Sequence, residues 1–275
     1  MNILFYGNCQ TDALVKIVNI TGATYHNITC HTTEITELEF YNLIKMCDII
    51  VLQPIHDGYR NKHYLSTNYI INTCNNHCKV IIFDSCYFKF YHYDMSAKII
   101  NNELFLIPYQ YHYQVMINCY INGNTVESYI NDFMNNIDLV SKEELELIAH
   151  NNLMELNNRY NDNVAKYKKN NVYIVSTYQY IKDNYKDKLL FYTYNHPTKY
   201  VLQYIAEEIA KIINMPYNIN YDIDPLNFIK GIIYKCIQKV VNFNINNYLP
   251  LKMNETDIVK ITQTYYDTYK NINIS

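Results

Sequence analysis

The sequence predicts an α/β fold built on a mainly parallel sheet, followed by a helical C-terminal extension. Two observations carry the prediction. Apolar runs alternate with helical patterns through the first half, as βαβ units do. The runs Asp48-Ile49-Ile50-Val51-Leu52 and Lys79-Val80-Ile81-Ile82-Phe83 are also continuous, as in strands covered on both faces.

The first apolar run, Ile3 to Tyr6, stops at Gly7 and leads through Asn8 and Cys9 into a helical pattern from Gln10 to about Ile20. Leu14, Val15, Ile17 and Val18 give that helix its apolar face. Ala23 to Ile28 is expected as a second strand and Glu37 to Met46 as a short helix. The strand 48–52 ends at Gln53-Pro54, and a polar loop His56-Asp57-Gly58-Tyr59-Arg60 follows it. A helix is expected from Ser66 to Cys74, before the strand 79–83, which ends in Asp84 and Ser85. Ser141 and Glu144 have the spacing of a capping box. They open a long helix that runs towards Lys168 and, being rich in Asn, is expected to break once. Val172 to Tyr180 fits a helix or a strand equally well. Leu189 to Tyr194 reads as a strand, Asn195-His196-Pro197 as a turn, and Thr198 to Ile213 as a helix with Pro197 in its first turn. Residues 216–275 read as helical and irregular, without a repeat. The expected domains are therefore 1–215, and an extension over 216–275 packed on it.

At 275 residues the chain is long enough to bury a full core without staples. Its net charge of -3 exerts no long-range attraction on nucleic acid. The only arginines are Arg60 and Arg159, which restricts bidentate phosphate recognition to very few places. The abundance of Tyr (31 residues) beside many Asn, Ile and Lys fits an AT-rich coding bias better than a function. Eight cysteines without a secretory pattern favour a reduced, cytoplasmic protein. No apolar run reaches the roughly 18 residues of a membrane span. Cys74-Asn-Asn-His77-Cys78 lacks the second ligand pair of a zinc site, so no metal is expected.

Two strand-to-helix turns carry candidate chemistry. Cys9, at a helix N-terminus, is expected to feel the positive end of the helix dipole, which favours thiolate. Packing at the strand–helix corner is the alternative for a lone cysteine. Gly7, Asn8 and Gln10 around it add close backbone approach and amide donors. His196 sits in the other turn, bracketed by Asn195 and Pro197, and Gln53 offers a further amide at a strand end.

The segments Gly7-Asn8-Cys9-Gln10, Asp48 to Ile55 with Asp57, Phe88 with the aromatic run after it, and Leu190 to Thr198 together resemble the WcbI-like polysaccharide biosynthesis proteins. These are proposed acetyltransferases of capsule assembly, and the resemblance spans roughly residues 1–215. It implies a three-layer α/β/α sandwich similar to the SGNH hydrolases, with coenzyme A as acyl carrier. In the hydrolase pattern a Gly-Asp-Ser block follows the first strand and an Asp-x-x-His block lies near the end. Here Gly7-Asn8-Cys9 and His196 stand in those places, but Thr193 replaces the aspartate three residues before the histidine.

The expected activity is therefore acyl transfer from acetyl-CoA to a sugar or nucleotide-sugar acceptor. In one route Cys9 attacks the thioester after deprotonation by His196. In the other His196 is general base on the sugar, and Asn8, Gln10, Gln53, Asn195 and backbone N–H groups hold the oxyanion. Asp57 and Asp84 are candidates to orient His196, and Arg60, Lys62, Lys89 and Lys199 to meet the CoA phosphates. An esterase or deacetylase with the same dyad, and a carbohydrate-binding protein without catalysis, are the other readings.

Overall fold

A computed structural model describes residues 1–100, 103–105, 111–251 and 255–272 of the chain. These divide into two compact units. The first holds residues 1–86, 153–183 and 197–226, and the second holds 87–152, 184–196 and 227–275.

The first unit is organised by a five-stranded parallel sheet. Its strands include β1 (Asn2–Gly7), β3 (Thr24–Thr29), β4 (Ile49–Leu52) and β5 (Lys79–Phe83), with the short strand β2 (Val18–Ile20) lying outside it. The sheet order is Val172–Val175, β5, β4, β1, β3. The register aligns Phe5 with Val51 and Val51 with Ile81, so three apolar strands lie side by side in the centre. Side chains alternate across the sheet. Leu4, Tyr6, Ile50, Leu52, Val80 and Ile82 share a buried cluster with Phe40 and Ile44 of α2 (Glu37–Met46) and Ile70 of α3 (Thr67–Thr73). The alternate residues face the other side, where α1 (Cys9–Ile17) contacts β1 and β3 and the helix Lys199–Ile213 contacts β5 and Val172–Val175. Two helical layers thus enclose the sheet, the α/β/α sandwich expected.

Local sequence explains most boundaries. Thr36 accepts from the Glu39 N–H while the Glu39 carboxylate accepts from the Thr36 N–H, a capping box that starts α2. Ser66 caps α3 through the Tyr69 N–H. Three expectations shift. The first helix ends at Ile17, not about Ile20, because β-branched Val18 and Ile20 form β2, paired antiparallel with Tyr217–Ile219. The Asn-rich helix does not break: it runs from Lys142 to Tyr167, and its asparagines bond outward or back along the helix, Asn163 to Asp84 and Asn152 to the Ile148 carbonyl. Pro197 lies before the N-cap Thr198 rather than inside the helix. The undecided segment 172–180 splits into the strand Val172–Val175 and the start of a helix, Tyr178–Asn184.

The second unit is aromatic. Short antiparallel pairs, Met95–Ser96 with His112–Tyr113 and Lys98–Ile100 with Glu103–Phe105, accompany the helices Gln114–Ile121 and Ile258–Asn271. Tyr113, Tyr129, Tyr234, Tyr265 and Tyr269 are fully buried. Their hydroxyls are satisfied inside: Tyr129 and Tyr234 meet at 3.1 Å, Tyr234 donates to Asp94 at 2.8 Å, and Tyr265 donates to the Tyr111 carbonyl at 2.6 Å. No described helix is long and apolar enough to cross a membrane.

Candidate functional site

The turn after β1 is tied together by amides. Asn8 is the N-cap of α1, its Oδ1 accepting from the Gln10 N–H at 2.8 Å. Gln53, at the end of β4, accepts from the Asn8 N–H through Oε1 at 2.9 Å and donates through Nε2 to Gln10 Oε1 at 2.9 Å. Gln10 continues the relay, donating through Nε2 to the Cys86 carbonyl at 3.0 Å and accepting from the Cys86 N–H at 3.0 Å. Three strand ends, those of β1, β4 and β5, are thereby fixed to one another. Gln10 and Gln53 are both buried, so these bonds satisfy polar groups that would otherwise be costly. Gly7 makes room for the relay. A Cβ there would stand 2.6 Å from Gln53 Oε1 and 2.8 Å from a Thr11 methyl.

Cys9 opens α1 and is half-buried. Its thiol differs from the sequence expectation of a favoured thiolate. Burial pushes it up to about 11, with the Asp12 carboxylate adding to the rise, against the pull of the Cys9 and Gln10 backbone N–H groups. The helix end is present, but desolvation outweighs it. Asp12 itself is anchored by Asn27 and Thr29 of β3 at 2.8 Å. Cys30, just beyond β3, is near enough to influence Cys9 electrostatically, and it pairs with the Tyr59 hydroxyl.

Arg60 and Lys62 both engage Glu34, Lys62 at 2.9 Å, and Arg60 also donates to the carbonyls of Cys30 and Thr33. Two cations share the Glu34 carboxylate there, and Glu37 and Glu39 line the same surface pocket as Glu34 and Lys62. Lys199 donates to the Tyr221 carbonyl at 3.1 Å. Asp84 is buried at the end of β5, with Oδ1 accepting from Asn163 at 2.7 Å. Its Oδ2 meets no partner among the described residues, and burial raises the carboxyl to about 6 despite Asn163 and Arg159. Asp57 is held by Asn68 at 2.8 Å, and this bond with that of Ser66 lowers its carboxyl.

The second expected turn is a hairpin turn at Tyr194-Asn195, because His196 opens the short strand His196–Pro197 paired with Phe191–Thr193. His196 is buried between the rings of Tyr111, edge-on at 6.1 Å, and Phe228 at 5.6 Å. Its backbone N–H donates to Thr193 Oγ1 at 3.1 Å, and Thr193 in turn donates to Asn195 Oδ1 at 2.9 Å. Asn195 also accepts from the Tyr111 hydroxyl at 2.7 Å. Thr193 thus shapes the turn through the backbone. Lys89 stands over the ring of Tyr194, 5.5 Å from its centroid.

In the first unit the structure brings together Gly7, Asn8, Cys9, Gln10 and Gln53, and adds Thr11, Cys86, Cys30 and Tyr59, which sequence reading did not single out. Cys86 gave one usable signal, its place directly after the strand 79–83 and its polar end. Cys30 and Tyr59 gave none, because their relation to Cys9 arises from strand order.

Three comparisons bear on the chain. A search of curated proteins finds no match. A solved structure of WcbI, described as a novel polysaccharide biosynthesis enzyme in its native form without a disulfide bond between CoA and a cysteine, superposes with a TM-score of 0.82. It is 18% identical and covers 98% of this chain and 90% of its own, a likeness of fold. The family model for the polysaccharide biosynthesis enzyme WcbI matches residues 2–218, a span that contains the turn after β1, the sheet and the His196 turn alike. On that match, the chain belongs to the WcbI family of polysaccharide biosynthesis enzymes.

Proposed function

We propose that this protein transfers an acyl group from a CoA thioester to a sugar hydroxyl or amine in glycan assembly, at the turn that carries Cys9. The observation that carries the reading is the amide-clamped N-terminus of α1, where Cys9 and its helix end are held on three strand ends. CoA is named with a cysteine for the WcbI structure of similar fold, which supports placing the thiol end of the donor beside Cys9. Arg60 and Lys62, which share Glu34, are the first candidates to meet the phosphates. Lys89 and Lys199 are secondary candidates.

A thiol held near 11 is protonated at neutral pH, so Cys9 is a poor nucleophile without a base. Direct transfer is therefore preferred to an acetyl-cysteine intermediate. The acceptor hydroxyl gives its proton to a base, assigned to His196 from the order of the motifs, and its oxygen attacks the thioester carbonyl; the C–S bond then breaks, and the departing CoA thiolate takes that proton from the base. The Cys9 backbone N–H and the Asn8 amide are assigned to the developing oxyanion, while Gln10 and Gln53 act as positioning residues. A donor of this kind is typically worth about 10²–10³ in turnover.

Cys9→Ala and Cys9→Ser are expected to keep measurable transfer with acetyl-CoA, and mass spectrometry of acetyl-CoA-treated protein to show no acetyl group on the Cys9 peptide. An acetylated Cys9 with dead Cys9 variants would restore the covalent route. His196→Ala is expected to abolish transfer. Rapid acetate release with no stimulation by any sugar would replace the transferase with an esterase.

A further inference from the structure

The opposite edge of the sheet carries a second pair of thiols. Cys74 is the C-cap of α3, its N–H donating to the Ile70 carbonyl at 2.9 Å. A turn closed by the Cys78 N–H on the Asn75 carbonyl, also 2.9 Å, returns the chain to it just before β5 begins. The Cys74 thiol donates to the Ile71 carbonyl at 3.5 Å and the Cys78 thiol to the Lys79 carbonyl at 3.7 Å, and both residues line one cavity. Cys9 follows the C-terminal end of β1, whereas Cys78 precedes the N-terminal end of β5, and the strands between them are parallel. The two thiol sites are therefore on opposite edges.

The pair is asymmetric. Cys74 is half-buried and Cys78 fully buried. A cavity of about 340 Å³ is lined by both sulfur-bearing residues together with Asn75, Asn76, Lys169 and Asn171. Its neighbour Cys78 draws the Cys74 thiol below its ordinary value, opposed by burial and assisted by Lys45 of α2 and by Lys169. Cys74, burial, Cys47 and Asp48 push Cys78 far up. A half-buried, more acidic thiol beside a fully buried one, both on one cavity, is the arrangement of an attacking and a resolving cysteine. Among the described residues no set of three or more His, Cys, Asp or Glu groups is placed to hold a metal ion.

We propose that Cys74 and Cys78 form a redox site that reacts with small polar, anionic disulfides and closes to an intrachain disulfide. The Cys74 thiolate attacks one sulfur of the small disulfide, whose S–S bond breaks and releases one thiolate. Cys78 then attacks Cys74 Sγ, passing its proton to the second departing thiolate. Two protein thiols are oxidised and one small disulfide is reduced to two thiols. Closure brings the two sulfurs to about 2.05 Å. Lys169 and the asparagines of the cavity suit a reactant that carries carboxylates.

The test uses the full reduced chain and oxidised glutathione, followed by acid quenching, alkylation and peptide mass spectrometry. Expected is a Cys74–Cys78 peptide that has lost two hydrogens and escapes alkylation, in wild type and equally in Cys9→Ser. Cys78→Ser is expected to stop at a glutathione adduct on Cys74, forming faster as pH rises. Lys169→Glu should slow the reaction with glutathione disulfide more than with uncharged hydroxyethyl disulfide. Full alkylation of Cys74 and Cys78 after the treatment would overturn the proposal. So would an adduct that forms on Cys78 in Cys74→Ser at the wild-type rate.

Discussion

Gly7 and Asp84 show how single residues hold the candidate site. At Gly7 an added methyl would meet Gln53 Oε1 and Thr11 at less than van der Waals distance, so Gly7→Ala must displace the relay. The expected cost is about 1–3 kcal/mol of stability with loss of turnover, read by urea unfolding and a transferase assay. Wild-type values for both would show that the clamp is dispensable. For Asp84 the sign of the pH effect follows from its raised carboxyl. The unfolded group ionises near 3.8 and the folded group near 6. Between those values the folded state holds the extra proton, so stability falls as pH rises from 3.8 to 6 and is level above and below. The span corresponds to a penalty on the order of 3 kcal/mol. Asp84→Asn, which keeps an acceptor for Asn163, is expected to flatten that part of the profile. Parallel wild-type and variant curves between pH 4 and 6 would refute it. That Asp84 ends a strand is plain in the sequence; that its Oδ2 is buried without a partner among the described residues is not.

Elements were the most legible level. The helix Glu37–Met46 and the strand Lys79–Phe83 have the boundaries their patterns predict, because caps and apolar runs are local signals. Thr36→Ala removes the α2 cap and is expected to cost about 1 kcal/mol in urea unfolding. An unchanged midpoint would assign the boundary to packing of Phe40 and Ile44 alone. The misread boundaries have a shared cause. Val18 to Ile20 left the helix for a pairing with residues about two hundred positions away, and Asn163 stayed helical because Asp84 accepts its amide. Neither partner is visible within a sequence window.

At the scale of the whole chain, composition proved informative in an unexpected way. Tyrosines that read as coding bias fill the core of the second unit, with hydroxyls bonded to Asp94, to a carbonyl and to each other. Burial of such rings with satisfied hydroxyls is stabilising, and it makes them a core rather than a sugar-stacking surface. Ligand binding is also a property of the whole fold. CoA at about 100 times its Kd is expected to stabilise the protein by roughly 2.7 kcal/mol. A thermal-shift titration reads this, and no shift with CoA or acetyl-CoA would remove the donor from the proposed function. Arg60→Ala should weaken the shift if the Glu34 cluster meets the phosphates.

The sequence by itself determined the parallel α/β class, the bounds of elements such as Glu37–Met46 and Lys79–Phe83, and the Gly7-Asn8-Cys9 turn. All of these follow from periodicity, capping and chain order, which act over a few residues. Only the tertiary structure decided what those residues experience. It clamps Gln10 to Gln53 and to Cys86, 43 and 76 positions away, buries Cys9 until desolvation outweighs the helix end, and sets Cys74 and Cys78 on one cavity. Burial and partnership depend on strand order and packing, and these set the protonation on which the chemistry of each thiol rests.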